Sequence, residues 1–207
     1  MLTVVFDLGD VLTSRRHQFA QASGVIGAVV DHDAYFGARA LYDGGCSNLE
    51  YWSRVVDGLG VTMDATLADT LGRLDADLWC QIRPEAEAIL ADLHEAGVSV
   101  HVLSNAPGDT GPAIDRSPWR RFIGQRFISG ALGVMKPDPA IYAHVEASLG
   151  LTPDDLAFID DRADNVATAA SLGWTTHLWI SDADTRDWLT SLGLLLPGVG
   201  RPIAPPA

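Results

Sequence analysis

A doubly wound α/β fold, a parallel sheet with helices on both faces plus one α-helical insertion, is the architecture this 207-residue sequence predicts. Two observations carry the prediction. Short apolar, β-branched runs alternate with stretches of helical periodicity, which is the signature of βαβ units. One long stretch, residues 14–83, breaks that rhythm: it holds no strand pattern, and four helical signals follow one another instead.

Residues 2–6 (LTVVF) form the first strand, a buried apolar run that ends at Asp7 and Gly9 in a tight turn. Helices are expected at 18–30, 33–42, 48–59 and 64–79, the third opened by a capping box of Ser47 and Glu50. The next helix, 84–96, carries Ile89, Leu90 and Leu93 on one face and stops at Gly97. The second strand is 98–103 (VSVHVL), and 126–129 (RFIS) is a weaker one. Asp138 caps a helix over 139–149 with Pro139 at its first position, and Gly150 closes it. A strand at 156–159 (LAFI), a helix at 163–172 ending at Gly173, and a strand at 175–180 (TTHLWI) complete the alternation. Residues 197–207, rich in Pro and Gly, are expected to run extended over the surface. The expected organisation is therefore a Rossmann-like core of residues 1–13 and 84–196, a helical domain of residues 14–83, and the tail.

Composition narrows the function. Hydrophobic residues make up 47% and charged residues 20%, enough apolar material to offset chain entropy, which excludes disorder as the main state. A net charge of −13 and a pI near 4.6 argue against nucleic acid and anionic membranes as partners, because both need a basic surface. No apolar run reaches membrane-spanning length, and the N-terminus has no signal-peptide pattern. Cys46 and Cys80 form no CxxC, so two free thiols in a reducing cytoplasm are expected. A small anionic substrate stays compatible, since a local cation outweighs the global field. The expected partner is a small metabolite, with the chain a monomer or homodimer.

In open α/β sheets the working residues gather at the carboxyl ends of the strands. Asp7 ends the first strand (FDLGDVL), Ser104-Asn105 ends the second (VLSNAP), and Asp160-Asp161 ends a later one (FIDDRADN), while Lys136 sits just before a helix (GVMKPDP). If the strands are neighbours, three carboxylates, a hydroxyl and an ammonium share one crevice. Three adjacent carboxylates resist joint ionisation unless a cation joins them. Hard oxygen donors with few protein contacts suit Mg²⁺, which keeps waters and a phosphate oxygen. Lys136 adds a point charge for an anion, Ser104 and loop N–H groups can donate to the same oxygens, and Asp7 could attack phosphorus.

FDLGDVL, LSN, GVMKPDPAIY and FIDDRADNV, in that order, resemble the four motifs of the haloacid dehalogenase (HAD) superfamily of phosphohydrolases, and residues 14–83 fall where that family carries its type 1 cap. The likeness runs from Leu2 to about Leu195, and DLG-x-V-L, LSN and DD-x-x-DN are most similar to bacterial members of the glucose-1-phosphatase type. The resemblance implies Asp7 as nucleophile, Ser104 and Asn105 holding the phosphoryl group, and Lys136 bridging phosphate and Asp7. It implies Mg²⁺ held by Asp7, the Gly9 carbonyl and Asp161, with Asp160 beside it and Asn165 where many relatives have a second acid. It implies a phosphomonoesterase acting on a small phosphorylated metabolite, a sugar phosphate among the candidates.

One position departs from the family pattern. Gly9 stands where many members have a second aspartate as general acid and base, and losing such a group costs roughly 10²–10⁴ in rate. A good leaving group, a water or a group from the helical insertion can stand in, and Asp10 is a nearby candidate. A 2-haloacid dehalogenase, a phosphomutase and a non-catalytic phosphate-binding protein are the competing expectations. Taken singly, each residue also has a plainer reading: Asp7 and Asp160-Asp161 as caps, Ser104-Asn105 as turn chemistry, Lys136 as a surface lysine. His101 reads as a core or sheet-face residue, Trp174, Trp179 and Trp188 as packing, and Trp52 as a pocket candidate whose plainer reading is helix packing. Trp119 is open between packing and pocket. His17, Tyr42 and Asp43 are candidates to face the crevice.

Overall fold

Five parallel strands form one sheet in the order β3-β2-β1-β4-β5: β1 (Thr3–Phe6), β2 (Val100–Ser104), β3 (Arg126–Ile128), β4 (Leu156–Asp160) and β5 (Thr175–Leu178). The structure, a computed structural model, describes residues 2–13 and 18–196. His17 and the expected tail, 197–207, lie outside the described residues. All five strands occur where the apolar runs predict them, within about two residues at each end.

β1 lies at the centre because its residues are apolar on both faces. Val4 and Phe6 face one layer, packed with Val100, Val102, Ile159 and, from the helices, Ile89, Leu90 and Ile114. Val5 faces the other, with Leu103, Phe158, Ile141, Tyr142 and Trp174. Register follows: Val5 sits opposite His101 on one side and Phe158 on the other. The chain leaves β1 toward β2 on one side and returns to β4 on the other. That reversal of strand order opens a crevice at the carboxyl end of β1.

Between β1 and β2 come α1 (Gln18–Ile26), α2 (His32–Gly37), α3 (Arg39–Asp43), α4 (Asn48–Val55), α5 (Ala65–Trp79) and α6 (Pro84–Glu95). The helices after β2 are α7 (Thr110–Arg116), α8 (Ser129–Leu132), α9 (Pro139–Leu149), α10 (Ala163–Ser171) and α11 (Asp182–Ser191). Helices α1 to α5 bury a third cluster of their own, including Tyr35, Tyr42, Tyr51, Trp52 and Leu71. Tyr42 and Tyr51 stack there with centroids 4.0 Å apart. Ser47 and Asp138 cap α4 and α9, accepting from Glu50 N and Ala140 N; of the expected capping box the Ser47 half forms, while the Glu50 side chain pairs with Arg54.

The structure departs from the sequence reading in four places, one of them the helix expected at 48–59, which ends at Val55. The expected helix over 33–42 is two helices, α2 and α3, with the break after Gly37, the weakest helix former in the segment. The helix at 18–30 stops at Ile26, because Gly27 turns left-handed at φ 75°. Helices α7, α8 and α11 carry too little apolar periodicity to be seen in the sequence. Both cysteines are free, and none of the described helices is long and apolar enough to cross a membrane.

Candidate active site

The crevice at the end of β1 is a cavity of about 630 Å³ between the sheet and the helical insertion. Asp7, Gly9, Ser104, Asn105, Lys136 and Asp161 line it from the sheet side. Asp7 continues β1, its N–H donating to the Ile159 carbonyl at 2.8 Å, so its position is set by the sheet ladder. The loop beyond it is held from behind. Arg83, just before α6, donates to the carbonyls of Asp10, Val11 and Thr13 and pairs with Asp182. Within that loop Asp10 is left-handed at φ 59°, an uncommon conformation for a residue with a side chain.

Lys136 is the hub. Its ammonium donates to Asp7 Oδ1 at 2.7 Å, Asp160 Oδ2 at 2.6 Å and the Leu103 carbonyl at 2.8 Å. Three donors thus meet three acceptors, and the charge is fully satisfied while buried. Burial alone would push this ammonium down; the charges of Asp7 and Asp160 outweigh it and hold it above its ordinary value. Asn105 fixes the lysine in turn: its Oδ1 accepts from Lys136 N and its Nδ2 donates to the Lys136 carbonyl, both at 2.8 Å. The sequence reading gave Asn105 to the phosphoryl group, whereas its amide here grips the Lys136 main chain.

Asp160 and Asp161 divide their work. Asp160 is fully buried and its oxygens accept from Lys136, Arg162 N and Asn165 Nδ2. Asp161 is half-buried and faces the cavity. Carboxylate oxygens of Asp7, Asp160 and Asp161 lie within 4.8 Å of one another, close enough to hold one cation. Burial first, then Asp160 and Asp10, push Asp161 up. Asp7 is likewise raised, by burial and by Asp160 and Asp161, against the pull of Lys136. A divalent cation would relieve both. The all-oxygen donor set suits Mg²⁺. Asn165 supports the fit: it lines the cavity, is 1% exposed, and its Oδ1 has no hydrogen-bond partner among the described residues.

The insertion closes the cavity with Phe36, Arg39, Asp43 and Trp79. Arg39 donates to Asp43 Oδ1 at 2.9 Å, Asp75 Oδ2 at 2.9 Å and the Tyr35 hydroxyl at 2.7 Å. Tyr35 also bonds Asp75 and accepts from Trp79 Nε1 at 2.8 Å. Arg39, Trp79 and Arg83 were not singled out from the sequence; an arginine on a short helix carries no local mark of its partners.

Asp43 lines the cavity as expected, but Tyr42 does not: it is buried in the insertion and donates to Asn48 Oδ1 at 2.6 Å. Trp52 packs in that same cluster, and Trp119 is buried with its Nε1 donating to the Cys80 carbonyl. His101 is a sheet residue whose Nδ1 accepts from Gln125 N at 2.8 Å, and burial pushes its pKa down.

The sequence matches the family model of haloacid dehalogenase-like hydrolases over residues 1–173. It is 30% identical over 138 residues to Phosphatase MT3486 of Mycobacterium tuberculosis, a match spanning 64% of this chain and 64%, less than two thirds, of that relative. The structure is similar to L-2-haloacid dehalogenase from Xanthobacter autotrophicus with chloropropionic acid covalently bound, with a TM-score of 0.69 and 21% identity, covering 99% of this chain and 85% of that one. It is also similar to a HAD family enzyme of Bacteroides thetaiotaomicron in complex with magnesium and inorganic phosphate, with a TM-score of 0.65 and 20% identity, covering 86% and 93%. At those identities the two structures show a shared fold.

Proposed function

The chain belongs to the haloacid dehalogenase-like hydrolases, and from that premise we propose that it is a Mg²⁺-dependent phosphomonoester hydrolase acting on a small phosphorylated metabolite, with sugar phosphates the first class to test. The observation that supports this most is the sharing of Lys136 by Asp7 and Asp160 at 2.7 and 2.6 Å beside Asp161 in one cavity. In this reading residues 14–83 are the cap, and residues 1–13 with 84–196 the catalytic domain.

Asp7 Oδ1 is held by Lys136, which leaves Oδ2 to attack phosphorus and form an aspartyl-phosphate that water then hydrolyses. Lys136 and the Ser104 hydroxyl offset charge on the phosphoryl oxygens. Asn105 keeps Lys136 in place through its main chain, and Asp160 keeps the ammonium aimed at Asp7. Asp7, Asp161 and the Gly9 carbonyl would hold Mg²⁺, with Asp160 behind them. Bound there, the metal supplies charge neutralisation to the transferring phosphoryl group.

A screen of phosphorylated metabolites with and without Mg²⁺ tests this. Phosphate release that needs Mg²⁺ and is abolished in Asp7→Asn is expected. Turnover surviving in Asp7→Asn overturns the mechanism. The fold shared with L-2-haloacid dehalogenase favours carbon as the rival electrophile; chloride release from 2-haloacids in EDTA would decide for it.

A further inference from the structure

Gly9 supplies no acid, and packing does not explain why. A Cβ at Gly9 would meet nothing nearer than Asp7 Oδ2 and Trp79 Cζ3, both at 3.9 Å, and the backbone there is not left-handed. A proton for the leaving oxygen must then come from elsewhere in the cavity. Arg39 is a permanent cation. Arg162 pairs with Asp164 in solvent, and His32 sits at the rim with its side chain 65% exposed beside Asp33. Asp10 acts on Asp161, on the cation side of the site.

Asp43 differs from all of these. It reaches the cavity from the insertion, and its side chain is 16% exposed. Its place relative to the sheet is set by hydrogen bonds. The Asp43 carbonyl accepts from Ser129 Oγ at 2.6 Å, and that oxygen accepts from Ala106 N at 2.9 Å, two residues past Ser104. Beside it the chain presses on α8 so closely that a Cβ on Gly45, at φ 102°, would lie 2.8 Å from the Gly130 carbonyl oxygen. Oδ1 is held by Arg39, while Oδ2 has no hydrogen bond among the described residues.

We propose that Asp43 is the proton donor to the leaving group and the base for the second step, the role that Gly9 leaves unfilled. This rests on the phosphatase reading above. In the first step Asp7 Oδ2 bonds phosphorus, the bond from phosphorus to the leaving oxygen breaks, and the Asp43 proton passes to that oxygen to give the free alcohol. In the second, a water oxygen bonds phosphorus, the bond from phosphorus to Asp7 Oδ2 breaks to return the Asp7 carboxylate, and one proton of that water passes to the Asp43 carboxylate. Phosphate leaves, and both acids return to their starting states.

The environment suits an acid that exchanges a proton close to neutrality. Burial pushes the Asp43 carboxyl up to about 6 against the pull of Arg39. The other groups acting on or facing it are Asp75 of α5, Tyr51 of α4 and Cys46 on the following turn, and α8 brings no titratable side chain.

The experiment compares glycerol 2-phosphate, whose alkoxide needs a proton, with acetyl phosphate, whose carboxylate does not, both with Mg²⁺. In Asp43→Asn the ratio of kcat/KM for the alkyl over the acyl phosphate is expected to fall about 100-fold. An unchanged ratio, whether both rates drop or neither does, overturns the proposal. Should that variant fold poorly, the wild-type protein gives the answer across a series of phosphate esters. A shallow dependence of kcat/KM on leaving-group pKa supports a proton donor, and a steep one overturns it. Wild-type protein inert toward both substrates would instead sink the phosphatase reading itself.

Discussion

Two cations organise this molecule, Lys136 buried at the sheet and Arg39 partly buried in the helical insertion, and each sits between two carboxylates. Lys136 touches Asp7 and Asp160 at 2.7 and 2.6 Å, and Arg39 touches Asp43 and Asp75 at 2.9 Å each. The surroundings differ. Lys136 is anchored by strand ends and a main-chain carbonyl, so backbone hydrogen bonds of the sheet fix its acceptors. Arg39 has no sheet to lean on. Its guanidinium lies 5.4 to 5.5 Å from the ring centroids of Tyr35, Tyr42 and Trp79, and its fork ties α2, α3 and α5 together. A sheet can place charges for chemistry with its backbone, whereas a bundle of short helices needs a charge network to place itself.

That contrast can be broken at Asp75, where the largest effect on folding is expected. The residue is 3% exposed, and Asp75→Ala leaves Arg39 short of a partner inside the insertion, which should cost about 3–5 kcal/mol in urea unfolding. A loss under about 1 kcal/mol would mean that the aromatic shell alone holds the helices. At the sheet the effect should fall on turnover instead. Lys136→Met is expected to lower kcat on the best phosphate ester roughly 10²–10³-fold, the range seen when a preorganised electrostatic donor is removed. A rate within threefold of wild type would reduce Lys136 to a packing residue. Smaller still is Asn105→Ala, which removes two hydrogen bonds to the Lys136 main chain and should cost about 1–3 kcal/mol of stability. Its kcat should drop with little change in KM; a rise in KM alone would return Asn105 to direct substrate binding.

Legibility in the sequence followed the same division. The strands were readable because parallel strands buried on both faces are short apolar runs, and Asp7, Ser104 and Asp160 were readable as what stands at their ends. Helix α11 (DADTRDWLTS) escaped because Trp188 and Leu189 are its only large apolar residues. The cap Ser181, which accepts from Asp184 N, was the one signal there to find. Nothing local marked Arg83 or Arg39. Tyr42 and Asp43, adjacent in sequence, carry the same local signal, and helix α3 turns one into the insertion and the other toward the cavity.

By itself, then, the sequence determined a parallel sheet, a helical insertion and a row of acids at strand ends, because burial periodicity and turn chemistry are local properties. Only the tertiary structure decided that Asp160 spends its oxygens on Lys136 and Asn165, that Asn105 grips a main chain, and that Asp43 is tied through Ser129 to the loop beyond Ser104. These pairings join residues as far apart in the chain as Asp43 and Ser129, 86 positions. Which lone pair meets which donor depends on how whole elements pack, and no run of neighbouring residues encodes that.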